Sequence, residues 1–254
     1  MPRFAVQCVI VTLVFELLFP AIIFSQDARE IVKRADTKYN GEKSSYSEMS
    51  MTIVRPKYKR SIEFKGWAVT GKDALTLITA PAKEKGQSFL KSGNNLWSWN
   101  PTIQRLIKLP PSMMSQGWMG SDYTNDDILK ETSLIKDYNP KIIGKEVVNG
   151  LKCYKIELIP LESADVVWGK IIIWISEDEY FELKSEFYDE ENYLVKSHIA
   201  SEIKTFEDRR LPSLIEIIPA DEPGNKTIVT LISMKFNISF PPDFFSQQNM
   251  KRIK

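Results

Sequence analysis

The chain has 254 residues, with 34 Lys and Arg against 33 Asp and Glu and a net charge of +1. That balance excludes a general nucleic-acid binder and a polybasic membrane-surface binder, because both need a footprint of one sign. Of its two cysteines, Cys8 lies in an N-terminal apolar run and Cys153 is alone in the remainder, so no internal disulfide is expected.

Residues 4–24 are nearly all apolar, with Arg3 before them and Ser25-Gln26-Asp27 after them. A basic start, an apolar middle and a polar exit predict a secretory signal peptide over residues 1–25, cleaved near Ser25. The alternative is a retained membrane anchor, against which Glu16 counts because it interrupts the run. Arg3 and Glu16 leave together on cleavage, so the charge balance does not change. Residues 26–254 then make a single domain, with no repeat, low-complexity tract or linker to divide them.

That domain opens on a helix. Ala28, Ile31, Val32, Ala35 and Tyr39 recur at helical spacing and lay one apolar stripe. Asp27 and Glu30 form a capping pair, and Asn40-Gly41 supplies a stop. From Ser47 the period becomes two: Met49, Met51 and Ile53, then Ile62, Phe64 and Ala68, then runs at 75–78 and 88–90. Turn residues at Pro56, Gly71, Pro81 and Gly86 separate them, which predicts an antiparallel meander.

Residues 91–130 hold three of the six tryptophans and three of the eight methionines. Trp97 and Trp99 share one face of a strand, and Trp97 or Trp99 is expected to face the cavity. Residues 110–120 carry Pro110, Pro111, Met113, Met114, Trp118 and Met119 without periodicity, which reads as an adaptable lid or cavity rim. A helix is expected over 124–131, with Thr124 as its cap.

Strands resume at 141–148 and 151–159 around Asn149-Gly150, the signature of a type I′ hairpin. Further strands are expected near 170–176, 180–188, 193–206, 211–218 and 227–237, and a short turn or helix at 244–250. Ten to twelve strands with few helices predict a mainly β fold. The expected form is an incomplete antiparallel β-barrel, a strongly curved sheet whose helices cover an apolar cavity.

A search for catalysis returns little. No metalloprotease, nucleotide-binding or nucleophile-elbow motif is present. The sole histidine, His198, alternates with Ser197 and Ile199 and reads as a surface or satisfied core residue rather than a base. Asp122, Asp126, Asp127 and Glu131 are explained by helix capping and a first-turn preference for acids, without a metal. No cofactor and no enzymatic activity is expected; a hydrolase using Ser121 or His198 is the least favoured reading. What stands out is soft apolar surface: Phe89, Trp97, Trp99, Met113, Met114, Trp118 and Met119, side chains suited to acyl chains.

Three motifs carry a resemblance. Ser92-Gly93-x-x-Leu96-Trp97-x-Trp99-Asn100-Pro101, Lys85-Gly86-Gln87-Ser88-Phe89-Leu90 and Trp118-Met119-Gly120-Ser121-Asp122-Tyr123-Thr124 resemble runs of the LolA-like outer-membrane lipoprotein-sorting family. The resemblance spans roughly residues 31–245. Departures are Trp118 where the family has Phe, and Gln104-Arg105-Leu106-Ile107-Lys108 where it has a more basic run. The resemblance implies a helix-covered incomplete barrel in a periplasm, ferrying acyl chains of lipoproteins or lipids toward the outer membrane as a monomer. It also implies an inner-membrane transporter and an outer-membrane acceptor as partners. The alternative is an adaptor subunit of an RND-type or other inner-membrane lipid export system that carries no cargo of its own.

Overall fold

Period-two patterning dominates the chain because it builds one sheet. The computed structural model describes residues 27–41, 43–129 and 134–254; the expected signal peptide lies outside them. Strands β1 (Ser44–Arg55), β2 (Tyr58–Val69), β3 (Asp73–Ala80), β4 (Ser88–Ser92), β5 (Asn95–Asn100) and β6 (Arg105–Lys108) step from the middle of the sheet to one edge. Strands β7 (Tyr138–Val148), β8 (Leu151–Pro160), β9 (Lys170–Ser176), β10 (Glu182–Tyr188), β11 (Leu194–Phe206), β12 (Arg209–Pro219) and β13 (Lys226–Phe236) step back from the other edge. The halves join where β1 pairs antiparallel with β13, and the order runs β6-β5-β4-β3-β2-β1-β13-β12-β11-β10-β9-β8-β7. The result is the expected open, curved antiparallel sheet. It has thirteen strands rather than ten to twelve, since the four-residue β6 is too short to show a period.

The hairpin at 149–150 follows its sequence signal. Asn149 and Gly150 take φ of 50° and 80°, the paired left-handed positions of a type I′ turn. The Asn149 amide also donates to the Ala200 carbonyl at 2.9 Å, fixing the turn to β11.

Helix α1 (Ala28–Asn40) begins at Asp27, whose carboxylate accepts from the Arg29 amide at 3.0 Å. Glu30 does not close the expected capping pair. It sits beside Arg34 at 3.0 Å instead, one turn along the exposed face. Ile31 and Val32 are each 1% exposed and pack with Tyr138, Ile156, Leu158, Ile171, Ile173 and Ile175 of β7 to β9. This half of the sheet is filled by its helix.

The far face of β3 to β5 is covered by residues 240–254. Leu75, Leu90 and Met250 are buried together, with Trp67, Trp97, Trp99, Phe244 and Phe245 against them. Ser88 Oγ donates to the Met250 carbonyl at 2.6 Å and pins the segment down. The short turn or helix expected at 244–250 is a run of turns ending in one 3-10 turn at Asn249–Lys251. Here Phe240, Phe244 and Phe245 converge, Phe240 and Phe244 stacking at 4.8 Å, and this aromatic packing holds the turns together.

Candidate functional site

Residues directly opposite one another in a sheet share a face, so the strand register draws the inner wall. One row runs Ser47, Gly66, Thr76, Phe89, Ser98, and another joins Ile62, Met51, Val229 and Ile215. Between these walls lies a cavity of about 460 Å³, lined by Met49, Met51, Phe64, Phe89, Trp118 and Met234 among others. That volume is within the usual range for small-molecule pockets. A second chamber of about 320 Å³ shares Tyr39, Tyr123, His198 and Ile215 with it and reaches toward Ala35 on α1 and toward Trp168. Gly66 helps keep the larger space open, because a Cβ there would come within 3.0 Å of Ser47 Oγ.

The roof is formed by residues 109–129, from the connection between the two sheet edges. Trp118 drops into the cavity, edge-on to Phe64 at 5.5 Å and to Phe89 at 5.3 Å. Met119 and Gly120 take left-handed φ of 54° and 76° to turn the chain back out. Ser121 Oγ closes this turn by donating to the Trp118 carbonyl at 2.7 Å. Three polar anchors then hold the roof to the sheet. Arg55 donates to both carboxylate oxygens of Asp122, at 3.0 and 3.1 Å, and Thr227 Oγ1 donates to Asp122 at 2.7 Å. Arg60 donates to the Met119 carbonyl at 2.6 Å while pairing with Glu84. Lys196 meets Asp127 at 2.5 Å, with side-chain exposures of 4% and 8%.

Asp127 also serves the short helix α2 (Asn125–Leu129). The Thr124 amide donates to its carboxylate at 2.8 Å, and the Asp127 amide donates to Thr124 Oγ1 at 3.1 Å. Thr124 therefore caps as the sequence indicates, while the ion pair with Lys196 was not legible. The far end of that expected helix lies outside the described residues. The Lys196 ammonium sits over the rings of Trp168, Tyr123 and Phe187 at 4.9, 5.4 and 5.6 Å, an aromatic surround for a buried cation.

His198 faces inward rather than sitting at the surface, its ring 4.5 Å from that of Phe187. Burial, reinforced by the nearby Lys196 ammonium, lowers its pKa to about 3, the Asp127 carboxylate opposing only in part. The imidazole is neutral at ordinary pH. Its Nε2 and the Nε1 of Trp118 are buried without a hydrogen-bond partner among the described residues.

The seven residues expected to touch lipid separate into three groups. Phe89 and Trp118 line the cavity, and Met119 packs on the cluster beneath it. Met113 and Met114 lie in the outer part of the roof: the Met113 carbonyl accepts from Asn125, and Met114 borders a surface depression. The expectation that Trp97 or Trp99 faces the cavity is corrected. Both point to the opposite face, under the C-terminal segment, with Lys251 5.5 Å from the Trp99 ring. Leu96 takes the inner position instead, opposite the inward-facing Lys91. Sequence reasoning also missed Tyr123, His198 and the β13 wall, where Val229 and Leu231 alternate and a register shift then turns Met234 and Phe236 inward.

Among the described residues no group of acids, histidines or cysteines is arranged to hold a metal, and no helix is long and apolar enough to cross a membrane. A family model described as "uncharacterized protein" matches residues 70–252, well over half of the chain. No curated protein matches the chain in sequence. Among solved structures, a DUF1329 family protein from Desulfovibrio piger aligns with a TM-score of 0.78 and 22% identity, over 88% of this chain and 97% of its own. A putative outer membrane lipoprotein-sorting protein domain from Vibrio parahaemolyticus gives 0.76 and 21%, over 89% and 98%. The LolA superfamily protein NE2245 from Nitrosomonas europaea gives 0.72 and 22%, over 87% and 98%. These similarities establish the fold.

Proposed function

The chain belongs to this family of uncharacterized proteins and has a LolA-superfamily fold, and from its cavity we propose that it is a non-catalytic periplasmic carrier of acyl chains. The cargo is a lipid or the lipid part of a lipoprotein, collected at the inner membrane and moved toward the outer one. The observation that carries the reading is the roofed cavity of about 460 Å³, with walls of Met, Phe, Trp and Ile. Withdrawing an acyl chain from a bilayer costs about 0.8 kcal/mol per CH₂, on the order of 12 kcal/mol for sixteen carbons. Apolar walls return most of that by burial, and methionines adapt to a chain of no fixed shape.

The residues that a hydrolase would use are not poised for catalysis. Ser121 Oγ is buried and donates to a backbone carbonyl within its own turn. His198, with its pKa near 3, is a weak base, and its ring contacts are aromatic. These two facts support the non-catalytic reading.

The test is purification of the exported protein from a membrane-containing host, organic extraction and mass spectrometry. Wild type yields bound lipid at a fixed ratio. Ala68→Phe, at a cavity-lining position, yields little. A wild-type protein that never carries lipid and takes up no acyl probe would sink the carrier reading.

A further inference from the structure

Two buried polar atoms in an apolar cavity call for a partner. Trp118 Nε1 and His198 Nε2 are both buried and unpaired among the described residues, and both residues line the larger cavity. An unpaired buried donor is costly, and native structures rarely keep one without a use. The indole is not free to turn toward another acceptor. Its ring is held edge-on between Phe64 and Phe89, and its backbone is fixed at both ends, the Trp118 amide donating to the Tyr123 carbonyl at 2.6 Å and the Trp118 carbonyl accepting from Ser121.

The chemistry of the two groups restricts what can satisfy them. An indole N–H only donates, so its partner must be an acceptor, whereas a neutral imidazole offers one donor and one acceptor nitrogen. A saturated tail supplies neither. An ionised carboxylate would lose its hydration in an apolar space, the neutral His198 brings no charge to offset that loss, and the lining Lys91 is already engaged with another group.

We propose that the cavity recognises an uncharged acyl carbonyl, an ester or amide, which accepts a hydrogen bond from Trp118 Nε1 and faces His198 Nε2. This rests on the carrier reading and deepens it: the cargo is gripped at its acyl linkage as well as along its methylenes. The linkage then lies inside the protein, below the roof turn at Met119-Gly120, and only the headgroup remains outside.

Two competitors of equal chain length separate the contributions. The delipidated full chain is loaded with the neutral probe N-phenyl-1-naphthylamine, then titrated with 1-monopalmitoylglycerol or with 1-O-hexadecylglycerol. The second replaces the ester by an ether and lacks the carbonyl. In wild type the ester is expected to displace the probe about tenfold more effectively, the value of one buried hydrogen bond. Trp118→Phe should bring the ester-to-ether ratio close to one, and His198→Leu should reduce it. A wild-type ratio of one, or a Trp118→Phe protein that keeps the full preference, overturns the proposal and leaves the carrier reading intact. Probe and competitors all failing to bind would remove the carrier reading and this proposal with it. Should Trp118→Phe not fold, the wild-type protein still decides. Its Trp118 indole N–H proton resonance is expected to move downfield with the ester and not with the ether, and equal response to both overturns the proposal.

Discussion

The two halves of the sheet follow the same alternating pattern and end in opposite conditions. Over β7 to β9 the inner face carries Ile156, Ile171, Ile173 and Ile175, and α1 fills the space above them with Ile31 and Val32. Over β1 to β4 the inner face carries Ser47, Met49, Gly66 and Thr76 beside a buried cluster of Met51, Ile53, Ile62, Phe64, Ile78 and Phe89, and Trp118 and its neighbours reach down to them. β-Branched side chains hold one rotamer and fill a fixed volume. Glycine and serine leave volume empty, and methionine changes shape to suit what arrives. The packed half is held by apolar contact, and the hollow half by the polar anchors Arg55–Asp122, Arg60–Met119 and Lys196–Asp127. A cavity that fills and empties, as the proposed carrier role requires, needs supports beyond its own walls.

The greatest expected effect tests those anchors. Asp127→Asn leaves the Lys196 ammonium buried without its counter-charge and removes a carboxylate that also caps α2. Breaking one partner of a buried pair costs about 3–5 kcal/mol, read as a lower urea midpoint. Adding Lys196→Met should recover most of that loss, because the stranded charge goes with it. If the single variant unfolds like wild type, the anchor does not hold the roof.

The next contrast sets one half against the other. Ile173→Ala in the packed half opens a void where nothing can collapse and should cost about 2–5 kcal/mol. Met49→Ala in the hollow half enlarges a cavity that already exists, and should cost less than half as much while changing the affinity for acyl probes. Equal losses would mean that the two halves are packed alike.

Much of this division was legible in the sequence, for local reasons. The stripe of α1, the period-two runs and the Asn149-Gly150 turn each express their geometry over a few neighbouring residues. What was not legible is relational. Trp97 and Trp99, two apart, must share a face, but which face depends on a C-terminal segment that returns some 150 residues later to cover them. Asp122 and Asp127 read as helix-capping acids because their partners Arg55 and Lys196 lie 67 and 69 residues away. His198 sat in an alternation that also suits a surface strand, and only the pairing of β10, β11 and β12 turns it inward.

That inward histidine gives the cavity a pH dependence of its own. In the unfolded chain it titrates near 6.5, in the folded one near 3. As pH falls from 7 to 5 the unfolded chain takes up a proton that the native protein refuses, so the native state loses stability. The slope approaches 1.4 kcal/mol per pH unit below 6.5, about 2 kcal/mol by pH 5. His198→Leu should flatten that part of the profile. An unchanged slope in the variant would place the titration elsewhere.

The smallest effect belongs to the outer hairpin of the packed half. Gly150 takes φ of 80°, and nothing lies within 4 Å of where its Cβ would be. Gly150→Ala therefore meets no clash, and its cost is the left-handed backbone alone, about 1 kcal/mol. Because β7 and β8 border the filled side of the sheet, the loss should appear in the urea midpoint and not in the affinity for N-phenyl-1-naphthylamine. A change in probe binding of more than about twofold would show that strain at this turn reaches the cavity. The route is already drawn, since the neighbouring Asn149 amide is bonded to the carbonyl of Ala200 on β11, two residues beyond His198.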